Sequence, residues 1–89
     1  MTKGFVPYMT LWDDTEVVHT CSKNIEDVIV YFEKPSEEGF KVLKILLHNL
    51  EIKESKRINE YEEREWITFC LNNYDLIEEY SKVGGVHFA

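Results

Sequence analysis

Residues 40–54 read FKVLKILLHNLEIKE, and the conformation of this run decides the fold. Leu46, Leu50 and Ile52 share strand parity with Phe40 and Val42, whereas Phe40, Leu43, Leu47 and Leu50 fit a helical stripe. Two features favour strand. Polar residues alternate with apolar ones at 51–53, and the preceding KPSEEG, residues 34–39, is a hairpin loop by composition. In that loop Pro35 presets its own φ, and Gly39 is free to take a positive φ before the next strand.

Working back toward the N-terminus, EDVIVYFEK at 26–34 puts Val28, Val30 and Phe32 on one face and Ile29 and Tyr31 on the other. Apolar residues on both faces mark a central strand. GFVPYMTLW at 4–12 and TEVVHTC at 15–21 are rich in β-branched and aromatic residues. Asp13 and Asp14 make the turn between them, because aspartate side chains satisfy local backbone donors. Pro7 has no N–H for a ladder, so its strand belongs at an edge or carries a bulge. The SKN at 22–24 supplies the next turn.

Working forward, KESKR at 53–57 reads as a polar link, and helix signals follow it. Asn59 is an N-cap, with Glu62 three residues on as the capping-box acid. Trp66, Phe69, Cys70 and Asn73 share a helical face. The pair Asn72–Asn73 weakens the helix and is placed to restart it, with Asn73 as a second N-cap. Leu76, Ile77 and Tyr80 extend the apolar stripe, Lys82 lies in the last turn, and Gly84 is placed to end it. VHFA at 86–89 reads as a short apolar tail. Strands first and helices last predict one α+β domain over residues 1–89. It is an antiparallel meander of about four strands, with one or two C-terminal helices on one sheet face.

At 89 residues there is room for a single core. The formal net charge is −7. Between residues 60 and 79, Glu60, Glu62, Glu63, Glu65, Asp75, Glu78 and Glu79 stand against Arg64 alone, so this segment carries −6 of that charge. Such a balance disfavours nucleic acid and anionic membranes as partners, because both are bound through Lys and Arg. Lys53, Lys56 and Arg57 form the one basic cluster, too small for a phosphate-binding surface beside those acids. No run nears the roughly 20 apolar residues of a membrane helix. The N-terminus lacks the features of a signal peptide, and two cysteines do not make a disulfide framework. A cytoplasmic setting with free thiols is the expectation.

No motif points to chemistry. His19 and Cys21 would share a strand face, but two residues fall short of a zinc ligand set. Cys70 is most simply a small hydrophobe. Asp13, Asp14 and Glu16 lack the spacing of a calcium loop. Ser22, Ser36, Ser55 and Ser81 sit in polar or turn-like contexts without nucleophile-elbow glycines. Gly84–Gly85 follows a helix instead of opening one, so it is no phosphate cradle. The expectation is therefore no catalytic residue, cofactor or metal.

Two surfaces are candidates for a protein partner. One is the acidic helix, with Glu62, Glu63, Glu65, Glu78 and Glu79 and with Trp66 as anchor if that ring faces out. Helix-dipole compensation and ordinary solvation account for the same acids. The other is a surplus of sheet aromatics, Tyr8, Trp12 and Tyr31 with Val6 and Phe32, which two short helices cannot cover. That face would bind a partner, pair with itself as a homodimer, or accept an added strand. The expected function is an acidic interaction or regulatory protein. The alternative is a ligand-binding or enzyme-subunit domain with a pocket between sheet and helices.

Overall fold

The structure is a computed structural model that describes residues 4–84. Five strands form one antiparallel sheet in sequential order: β1 (Phe5–Thr10), β2 (Glu16–Thr20), β3 (Ile29–Lys34), β4 (Lys41–Leu46) and β5 (Glu51–Lys56). Two helices follow, α1 (Glu60–Asn72) and α2 (Tyr74–Val83). The fold is the expected α+β meander, with β3 central and β1 and β5 at the edges.

The fifth strand comes from residues 40–54, which hold two strands and the turn between them. Leu47–Leu50 reverses the chain: Leu50 takes φ 59°, and the Asn49 side chain accepts from the Glu51 backbone N–H at 3.0 Å. His48–Asn49 is a turn embedded in an apolar run, and apolar flanks hide it from periodicity. Residues 53–57 are correspondingly no linker. Lys53–Lys56 belong to β5, whose side chains are all exposed.

Alternation sorts the sheet into two faces. Val17 and His19 on β2, Val30 and Phe32 on β3, and Leu43 and Ile45 on β4 lie opposite one another in register and are all buried. The helices cover this face with Trp66, Cys70 and Ile77. Each large apolar side chain fully buried here contributes on the order of 1.5–3 kcal/mol. The other face carries Val18, Tyr31, Lys44 and Glu54 in one row and Glu16, Glu33, Val42 and Lys56 in the next.

The helix boundaries follow the sequence signals. Asn59 caps α1 through Glu62 N–H at 2.8 Å, and the Glu62 carboxylate accepts from Asn59 N–H in return. Gly84 ends α2 at φ 89°. The single residue between the helices, Asn73, departs from expectation, because its side chain makes no cap for α2. Its Oδ1 accepts from Tyr8 Oη at 2.7 Å, and its Nδ2 donates to Phe69 O at 2.9 Å. It ties the helix break to the edge strand. The apolar tail read at 86–89 lies outside the described residues.

Candidate functional site

The described surface has one end where aromatic and acidic groups converge. Topology places the β1–β2 and β3–β4 connections side by side there, each built to hold its shape. In the first, Leu11 N–H donates to Thr15 O at 2.8 Å and Asp14 N–H to Leu11 O at 3.0 Å. Asp14 takes φ 69°, and Asp13 accepts from Thr15 N–H at 3.2 Å. Asp13 also pairs with Lys34 Nζ at 3.2 Å, which locks this loop to β3. Burial alone would raise the Asp13 carboxyl. The Thr15 hydrogen bonds and the Lys34 ammonium outweigh it and hold the group below its ordinary range. At the tip of this braced turn the Trp12 side chain is 95% exposed.

In the β3–β4 connection, Ser36 and Gly39 exchange backbone hydrogen bonds at 3.1 Å. Gly39 takes φ +119° and lies against the Arg57 guanidinium, which a Cβ there would meet at 3.3 Å. Arg57 also donates to Phe40 O at 3.4 Å. The Phe40 ring it supports is about half exposed. Between the loops an open cleft of about 390 Å³ is lined by Thr10, Asp14, Glu16, Glu33, Pro35 and Phe40. Glu16 and Glu33 are directly opposite in register, a like-charge pair that costs sheet stability.

The sequence-derived partner residues are scattered. Trp66 is buried and stacked on Phe32, so it is no anchor for the acidic helix. Its position i+4 from Glu62 along the inward face is the reason. Tyr8 is buried too, because it shares strand parity with Val6, which pairs with buried His19 on the helix-covered face. The surplus of uncovered sheet aromatics therefore shrinks: Tyr8 and Phe32 are in the core, and Val6 is half-buried. Tyr31 lies on the open sheet face but is held there. It packs on Phe5 with centroids 5.6 Å apart, sits 5.5 Å below Lys44 Nζ, and donates to Glu33 at 2.8 Å. Burial and the neighbouring Glu33 push its pKa up to about 12. Trp12 alone of the predicted aromatics is fully presented.

Several helix acids are occupied within the fold. Glu62 bridges Lys41 at 2.9 Å, Glu63 accepts from Ser55 at 3.1 Å, and Glu78 lies 3.8 Å from Lys82. Glu65 lies beside the exposed Tyr61 hydroxyl and raises its pKa. Glu79 is exposed on α2. Both sheet edges are guarded against strand addition: β1 by Pro7 and its irregularity, β5 by Lys53, Lys56 and a register shift opposite Lys44–Ile45.

His19 and Cys21 do not share a face. β2 ends at Thr20, leaving Cys21 exposed while His19 is wholly buried. Among the described residues no group of three or more His, Cys, Asp or Glu could hold a metal ion. Cys70 is buried, and burial pushes its thiol up to about 12. Ser81 is buried in α2 and is not in a turn. Phe40 is the residue that sequence reasoning missed. Its place directly after the Gly39 turn, where the residue leading into a strand overhangs the loop, was the available signal. Among the described residues no helix is long and apolar enough to cross a membrane. Comparison with protein-family models, curated proteins and solved structures finds no match for this chain.

Proposed function

We propose that the chain is a small acidic interaction module, without a catalytic centre of its own, that docks a basic segment of a protein partner at the β1–β2 and β3–β4 loop end. The observation that carries this reading is Trp12, 95% exposed on a turn braced at Asp13, Asp14 and Thr15. A large ring with only two side-chain torsions, carried on a braced backbone, loses little entropy on binding and fits the profile of an interface hot spot. Asp14, Glu16 and Glu33, in the cleft at the same end of the sheet, supply an attractive field for Lys or Arg.

The alternative of a pocket between sheet and helices has less support, because that space is filled by the Phe32–Trp66 stack and its neighbours. Self-association through the loop end is also disfavoured. A twofold interface would set the cleft carboxylates of one copy against those of the other.

The test is selection of displayed random peptides on the immobilised protein, followed by rebinding to variants. Selected peptides should be rich in Lys and Arg and should bind less tightly as salt rises. Trp12→Ala should weaken them by at least about tenfold, the scale of an interface hot spot. Peptides with no basic enrichment, or binding indifferent to Trp12→Ala, would refute the reading.

A further inference from the structure

We infer that His19 makes the seating of α2 on the sheet conditional on an uncharged imidazole, so that acidification releases the C-terminal helix while the central strands persist. The geometry fixes the neutral tautomer. His19 Nδ1 lies 2.8 Å from the Thr20 carbonyl oxygen, which can only accept, so Nδ1 carries the proton. Nε2 is then a bare lone pair. It is buried and has no hydrogen-bond partner among the described residues.

The same spot holds α2 to β2. Ser81 Oγ lies 3.0 Å from Thr20 O, to which it donates, and 3.1 Å from His19 Nδ1. The Ser81 carbonyl accepts from Ser22 N–H at 3.1 Å. Protonating Nε2 would therefore place a full charge, and a donor without an acceptor, under the polar contacts that dock the helix.

Among the described residues no group packed around the ring offsets that charge. β1 brings the Tyr8 ring edge-on at 6.0 Å, and burial together with Tyr80 raises the Tyr8 pKa, so Tyr8 stays neutral in acid. β3 brings Val30 across the sheet. α2 brings Ser81, with Tyr80 against Tyr8, and α1 brings Phe69 against Tyr8. Among the described residues no carboxylate is in hydrogen-bond or ion-pair distance of the imidazole.

Burial holds the imidazole below its ordinary pKa, and the Thr20 hydrogen bond opposes this without overcoming it. The docked state binds fewer protons than the undocked one. Docking is thus fully present above the ordinary histidine pKa near 6.5 and is lost as pH falls through the lower docked value. β2 is paired on both sides, whereas α2 is ten residues long and too short to persist as an isolated helix. The helix is the element that yields, and its departure lets water reach Nε2.

The experiment is an amide NMR titration of the whole chain from pH 8 to pH 5. Resonances of residues 74–83 should leave their native positions with a midpoint below about 6.5, while those of β3 and β4 stay. His19→Phe, or His19→Gln if the first variant misfolds, should keep α2 in place throughout. Two wild-type results would overturn the inference: α2 signals that stay native while the His19 ring titrates, or loss of α2 and the sheet in one transition.

Discussion

The Phe32 ring on β3 and the Trp66 ring on α1 lie parallel to within 3°, with centroids 5.1 Å apart. That separation exceeds the roughly 3.5–4.0 Å contact distance of stacked carbons, so the rings are offset, the arrangement their quadrupoles favour. Phe69 meets Phe32 edge-on at 5.7 Å, and Tyr8 meets Phe69 edge-on at 6.0 Å. The aromatic side chains form a chain across the layer, from β3 through α1 to β1. Trp66→Ala should cost about 3–5 kcal/mol, the range for deleting a buried aromatic. Trp12→Ala should change stability by no more than about 0.5 kcal/mol. Urea denaturation of both variants checks the contrast. A Trp66→Ala cost below that of Trp12→Ala would contradict this packing.

The Tyr8–Asn73 hydrogen bond gives the second prediction. Tyr8→Phe should cost about 0.5–1.5 kcal/mol, the net worth of one such bond. Asn73→Ala should cost more, because it also removes the Nδ2 bond to the Phe69 carbonyl, leaving that oxygen the Asn73 backbone N–H alone. A double-mutant cycle should return a positive coupling between the two sites. Additive effects would show that the bond contributes nothing to stability.

Residues whose signals are local were legible in the sequence. The Asn59–Glu62 capping box, the Gly84 stop, the two-sided β3 and the edge character of Pro7 all formed as read, because each depends on a few neighbouring residues. What failed depends on the third dimension. His48–Asn49 turns the chain inside an apolar run. Asn73 follows cap statistics but answers to Tyr8, 65 positions away. Tyr8 and Trp12 belong to the same aromatic-rich segment, yet the two helices cover the first and the turn exposes the second. The convergence of Asp14, Glu16, Glu33 and Phe40 is a product of meander topology and has no linear motif.

The two thiols should separate cleanly. Cys21 is exposed, whereas Cys70 is wholly buried and its thiol is pushed up to about 12. A thiol-reactive dye should modify one site rapidly in native protein and the second only on unfolding. Cys21→Ser should remove the fast phase. Fast native labelling of Cys70 would mean that α1 does not seal the core as described.

Acid stability below the histidine range should depend on Asp13 and Glu62. Burial alone would raise both carboxyls. At Asp13 the hydrogen bonds of Thr15 and the ammonium of Lys34 reverse that, and at Glu62 Lys41 and the Asn59 backbone N–H do so. Each group's folded pKa therefore lies below its unfolded one. The stabilisation is present above the ordinary carboxyl range and is lost as pH falls through the folded values. In a His19→Phe background, which removes the histidine contribution, the urea midpoint should stay level down to about pH 4.5 and fall below it. Lys41→Met should lower the neutral-pH midpoint and flatten that fall, because Glu62 then loses the partner that holds its proton off. Denaturation curves at pH 7, 5, 4 and 3 decide the matter. An unchanged acid limb in Lys41→Met would show that the Lys41–Glu62 bridge, for all its 2.9 Å length, is screened by solvent.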